Sequence, residues 1–162
     1  MNTEPLFRPF HSDKLKLDNR VVMAPMTRGF SPGNIPGDDV AEYYRRRAAG
    51  GVGLIVTEGT GIDHPASVSG ASIPVFHGEE ALAGWKKVVD AVHAEGGKIA
   101  PQLWHVGMAR SVGDEPNVSA HPVGPSGLNL KGESVGEPLT EREIDDLIQA
   151  YAQAAADAKH IG

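Results

Sequence analysis

Three short apolar runs recur along the chain, and each delivers polar groups at its carboxyl end: Val21-Val-Met-Ala-Pro-Met-Thr-Arg28, Ile55-Val-Thr-Glu-Gly-Thr60 and Ile99-Ala-Pro-Gln-Leu-Trp-His105. Such runs, flanked by turn-forming residues, predict buried strands over 21–26, over 52–56 and from 99 onward. Between them the period changes to that of a helix. Val40, Tyr43, Tyr44, Arg47 and Ala48 form one stripe between Asp38-Asp39 and Gly50-Gly51, and Leu82, Trp85, Val88, Val89 and Val92 form a second over 79–95, ended by Gly96-Gly97. A third stripe, Ile144, Leu147, Ile148, Tyr151 and Ala155, follows Thr140-Glu-Arg-Glu143, a capping box in which hydroxyl and carboxylate satisfy each other's exposed amides. Near the start, Lys14-Leu-Lys-Leu17 alternates strictly and predicts a small hairpin within 8–20.

Strand and helix in regular alternation, with short glycine stops, imply right-handed crossovers and a parallel sheet. A doubly wound dinucleotide fold expects a Gly-x-Gly-x-x-Gly turn after its first strand, and Pro25-Met-Thr-Arg-Gly offers no such nest. A (β/α)8 barrel of the TIM type is therefore preferred. Such a barrel uses eight strands and typically ~250 residues, so three strands and three helices cannot close it. The reading is of one N-terminal part of a single barrel over 1–162, made of a hairpin at 8–20, β/α units over 21–162 and a long loop over 107–138. Because strands buried on both faces cannot be left open, a missing C-terminal segment or a partner chain is expected. The loop is much longer than ordinary connections, which suggests a lid, a binding loop or a disordered segment.

Composition narrows the function. The chain is 40% hydrophobic and 22% charged, ordinary for a globular domain, and its net charge of -6 argues against nucleic-acid binding. The run Arg45-Arg-Arg47 lies in a helical pattern and reads as a solvated face. The absence of cysteine excludes disulfides, zinc-thiolate sites and iron-sulfur ligation. No run approaches the roughly 20 apolar residues of a membrane span, and Met1-Asn-Thr-Glu lacks the features of a signal peptide, so a cytoplasmic protein is expected.

Several strand-end residues suit chemistry. Thr27 offers a hydroxyl and an amide just past the first strand, although a turn threonine would look the same. Glu58 could be a general acid or base but reads more simply as a paired structural carboxylate. Gly59 permits close approach of a flat ligand. Gln102, a primary amide in an apolar strand, must find partners and can donate and accept in one plane, which suits a heterocycle with alternating carbonyl and imide groups. Trp104 could wall a pocket or fill the barrel mouth, and His105 reads as a hydrogen-bonded structural histidine. The seven histidines show no H-x-x-x-H or H-E-x-x-H spacing, so no metal is expected, and Ser67, Ser69 and Ser72 lack a nucleophile elbow.

Taken together, Met23-Ala-Pro-Met-Thr-Arg28, Ala41-Glu-Tyr-Tyr-Arg-Arg-Arg-Ala48, Val56-Thr-Glu-Gly-Thr60 and Gln102-Leu-Trp-His-Val-Gly107 resemble the Old Yellow Enzyme family of FMN-dependent ene-reductases, in order and spacing across nearly the whole chain. The resemblance implies a barrel with the hairpin as bottom lid and a non-covalent FMN at its top. It implies that Ala24, Pro25, Met26 and Thr27 lie against the isoalloxazine, with the Thr27 side chain near its O4 and N5 edge tuning the potential. Gly59 would meet the ring, Gln102 would bond its pyrimidine portion, and Trp104 would wall the substrate pocket. NAD(P)H would supply a hydride to the flavin, and an activated alkene would receive it. In the family the substrate-binding histidine pair (or histidine and asparagine), the proton-donating tyrosine and the phosphate-holding residues come from later strands, and none is present here. Gly107-Met108 also replaces the glycine and arginine of many relatives, and no tyrosine or cysteine lies near Thr27.

The leading expectation is thus an oxidoreductase that reduces the activated C=C bond of α,β-unsaturated carbonyl or nitro compounds with FMN and NADH or NADPH, present here as an incomplete, by itself inactive, portion. The competing expectations are a non-catalytic half-barrel or interaction module, and another barrel enzyme, such as a hydrolase or lyase, using Glu58. Oligomeric state stays open, a homo-oligomer included.

Overall fold

The computed structural model describes residues 2–162. A small antiparallel hairpin comes first, β1 (Phe10–His11) against β2 (Lys16–Leu17), with Leu17 its one buried side chain. A three-stranded parallel sheet follows, in the order β3 (Val22–Met23), β4 (Leu54–Gly61) and β5 (Ile99–Trp104). The helices α1 (Asp38–Ala49), α2 (Glu79–Ala94) and α3 (Glu141–Ile161) alternate with these strands. Three parallel strands alternating with three helices are consecutive β/α units, part of a TIM-type barrel.

Helix limits follow local chemistry. Gly51 and Gly96, with φ of 86° and 75°, take the left-handed conformation that lets the chain turn from α1 and α2 into the next strand. At α3, Thr140 Oγ1 accepts from the Glu143 amide at 3.3 Å while Glu143 Oε2 accepts from the Thr140 amide at 2.8 Å. Strand limits differ from the expected ones. β3 covers two residues rather than 21–26, because Pro25 has no N–H to continue a ladder. β4 runs through Glu58, Gly59 and Thr60 to Gly61, since Gly59 and Gly61 still pair with Gln102 and Trp104 of β5.

One face of the sheet carries the core. Val40, Tyr44, Ala48, Ile55, Trp85, Val88 and Val92 are buried there, and the Trp85 indole N–H donates to the Val75 carbonyl at 2.9 Å. The other face, which the register assigns to Val22, Leu54, Val56, Ala100, Gln102 and Trp104, has no fully buried side chain, and Val22 is 49% exposed. No described helix covers it, whereas parallel strands are ordinarily covered on both sides.

Within the segment over 107–138, residues 110–120 wrap one side chain. Arg110 is 2% exposed and donates to the carbonyls of Val68, Asp114, Glu115, Asn117 and Ala120. An antiparallel bridge between Leu128 and Ser134 closes a second small turn. The described helices include none long and apolar enough to cross a membrane.

Candidate functional site

The carboxyl ends of the three parallel strands meet through a bulge in β4. Val56 pairs with Ala100 and Gly59 with Gln102, so β4 holds one more residue than β5 over this interval. The Thr57 hydroxyl fills the gap, accepting from the Gln102 amide at 3.1 Å and donating to the Glu58 carbonyl at 2.8 Å. Thr57 and Glu58 are consecutive in the strand, and both are buried.

Glu58 then ties three elements together. Its amide donates to the Tyr44 hydroxyl of α1 at 2.8 Å, and burial pushes that phenol up to about 12, so Tyr44 stays neutral at physiological pH. Its Oε2 accepts from the amides of Arg28 and Gly29 at 2.9 and 3.3 Å, and Arg28 Nη1 lies 3.9 Å from Oε1. The Arg28 guanidinium in turn rests 3.5 Å from the centre of the Tyr43 ring, which the Arg47 guanidinium also approaches at 3.4 Å. Glu58 is therefore the paired structural carboxylate of the simpler expectation.

These bonds bring the expected site residues together. Thr27 precedes the clamped Arg28 amide, Gly59 follows Glu58, and Gln102 lies opposite Gly59 on the next strand. Ala24, Pro25, Met26 and Thr27 form an exposed ledge, with Met26 51% accessible. Among the described residues neither the Thr27 hydroxyl nor the Gln102 side-chain amide has a hydrogen-bond partner. The site thus offers a free hydroxyl, a free amide that donates and accepts in one plane, and open backbone, a donor set matched to a flat carbonyl-imide heterocycle. At Gly59 the flat group present is the Trp104 indole, since a Cβ would stand 2.4 and 2.6 Å from two of its ring carbons.

Beyond the strand ends, His105 and His64 form a pair with Nε2 and Nδ1 2.9 Å apart. His105 Nδ1 accepts from the Gly107 amide at 2.9 Å and His64 Nδ1 from the Ala66 amide at 3.2 Å, so His105 Nε2 is the donor between the rings. Burial first, and the neighbouring His64 second, push His105 down to about 4; burial likewise lowers His64, partly opposed by Asp63. No group of three or more metal-ligating side chains converges among the described residues. Sequence reasoning overlooked the Arg28–Tyr43–Arg47 stack, the bond from Glu58 to Tyr44, the His64 partner and the Arg110 hub. Only Tyr43, Tyr44 and Arg47, whose polar ends interrupt the stripe of α1, carried a local signal.

Residues 5–162 match the model of the NADH:flavin oxidoreductase / NADH oxidase family. The chain is 38% identical over 98% of its length to 12-oxophytodienoate reductase 7 of Oryza sativa subsp. japonica, of which it covers 43%. It is also 38% identical to a metal reductase of Desulforamulus reducens, over 97% of this chain and 23% of that protein. Among solved structures, morphinone reductase in complex with tetrahydroNAD superposes with a TM-score of 0.84 at 38% identity, covering 97% of this chain and 47% of that one. The old yellow enzyme homologue from Zymomonas mobilis gives 0.83 at 33% identity, with 97% and 46% covered. The chain spans less than half the length of each of these relatives.

Proposed function

Because the chain belongs to the NADH:flavin oxidoreductase / NADH oxidase family, we propose that it provides the ring-holding part of an FMN site in an NAD(P)H-dependent reductase of activated alkenes. The observation that carries this is that Gln102 pairs with Gly59 at the carboxyl edge where barrel enzymes hold their chemistry, while Glu58, next to Gly59, holds the amide next to Thr27, and both the Thr27 hydroxyl and the Gln102 side-chain amide are left without a hydrogen-bond partner among the described residues. In this reading Ala24, Pro25, Met26 and Gly59 present backbone to the ring. Thr27 bonds one edge, Gln102 bonds the pyrimidine portion, and Trp104 walls the substrate pocket.

Bound FMN would supply the capacity to accept a hydride from a nicotinamide and pass it to carbon. The chain's own residues bind and orient. Gln102 fixes the orientation of a ring because its amide reads a donor-acceptor pattern, and Thr27 places a hydroxyl where it can stabilise charge on a reduced ring. We assign no proton donor within these residues: Glu58 is sealed by Arg28 and two amides, and His105 is engaged with His64 and Gly107. A nicotinamide donor is supported by the morphinone reductase complex with tetrahydroNAD, and a conjugated ketone acceptor by the names of the morphinone and 12-oxophytodienoate reductases.

The test is direct. The purified protein, titrated with FMN, is expected to develop a resolved, protein-perturbed flavin absorption band, weakened about tenfold in affinity by Gln102→Ala, on the scale of two lost hydrogen bonds. NAD(P)H oxidation dependent on 2-cyclohexenone then reports turnover of the whole protein. Unperturbed free-flavin absorption at saturating FMN would favour the non-catalytic reading instead.

A further inference from the structure

Glu58 is a buried, paired side chain that the proposed cofactor contacts leave unused. The extra residue of the β4 bulge places its carboxylate, with no solvent exposure, beneath the segment that follows β3. That segment has little else to hold it. Pro25 has no N–H, and among the described residues the only hydrogen bonds made by the backbone of residues 25–29 are the two that Glu58 Oε2 accepts from Arg28 and Gly29.

The geometry reaches Thr27 through one peptide plane. The Arg28 N–H belongs to the planar unit that begins at the Thr27 Cα, so holding that N–H places the Thr27 Cα and narrows the directions open to its side chain. The Arg28 side chain adds a second anchor, stacked on Tyr43 and 3.9 Å from the free Glu58 Oε1. Glu58 is itself held from behind by Tyr44. One residue thus joins α1, β4 and the exposed 24–27 ledge, its amide bonding Tyr44 and its carboxylate the amides of Arg28 and Gly29.

We propose that Glu58 is a positioning residue that sets the Ala24–Arg28 ledge and thereby aims the Thr27 hydroxyl. The clamp rests on its own geometry; its consequence for a flavin rests on the cofactor reading above. Glu58→Gln is the informative change, because it keeps the size and one oxygen but turns an NH2 toward the Arg28 guanidinium, leaving two donors face to face.

The first measurement needs no variant and no flavin. In the wild-type protein the amides of Arg28 and Gly29 are expected to exchange with solvent deuterium at least about tenfold more slowly than those of Met26 and Thr27. Equal rates would overturn the clamp. In Glu58→Ala, which removes both acceptor oxygens, that protection is lost relative to the core amides of Ile55 and Val88, whereas Tyr44→Phe, which leaves the carboxylate intact, retains it.

The second measurement is the midpoint potential of the FMN-loaded protein. Removing a negative charge near a ring that gains electrons would by itself raise the potential; misplacing a hydroxyl that stabilises the reduced ring lowers it. Glu58→Gln is expected to lower the potential, and to lower it no further in a Thr27→Ala background. A raised or unchanged potential, or additive shifts, would overturn the role toward Thr27. If the wild-type protein takes up no flavin, the cofactor reading falls while the exchange rates still decide the clamp.

Discussion

At Gly59 the absence of a Cβ makes room for an indole. Two Trp104 ring carbons lie 2.4 and 2.6 Å from where a Cβ would stand, so Gly59→Val must displace the tryptophan or bend β4. Overpacking of this kind costs about 1–3 kcal/mol, and a lower urea midpoint with altered tryptophan fluorescence is expected. His105 makes a second prediction, in pH. Its folded-state value near 4 lies below the ~6.5 of an unfolded histidine, so the unfolded chain takes up a proton that the folded chain refuses. The associated stability is complete above pH 6.5 and is lost as pH falls toward 4, with His64 contributing in the same direction. His105→Gln should flatten the slope of unfolding free energy between pH 6.5 and 4; an unchanged slope would place the titration elsewhere.

The elements show where local chemistry is sufficient and where it is not. The capping box of α3 is closed by residues within one turn, so Thr140→Ala should cost about 1 kcal/mol in urea unfolding while leaving the sheet intact. The glycine stops of α1 and α2 are equally local, and both helices end within a residue of the expected places. The length of β4 was not readable this way. Glycine weakens strand propensity, and the apolar run stops at Val56, yet pairing with β5 carries the strand on through the bulge to Gly61. Tyr44→Phe probes that bulge from the helix side. It leaves the Glu58 amide buried without its acceptor, and about 1–3 kcal/mol of stability should be lost.

For the molecule as a whole, alternating periods announced a parallel sheet with crossover helices, and the matched family agrees. The helices cover one face only. Because Val22, Leu54, Val56 and Ala100 lie on the face that no described element covers, Val56→Asp should destabilise this chain much less than Ile55→Asp, though the two residues are neighbours. Thermal unfolding of the two variants checks the assignment of faces, since burying an unpaired carboxylate costs several kcal/mol and exposing one costs little.

The sequence by itself determined the helix limits, the alternation of strands and helices, and the apolar stripes. Each follows from interactions within a few residues or from a repeating period. Only the tertiary structure decided that Glu58 reaches back 30 residues to clamp Arg28, that His105 meets His64 across 41 residues, and that Trp104 rests on Gly59. Those meetings depend on the register of parallel strands and on one extra residue in β4. Register is set by pairing between distant segments, which no local pattern encodes.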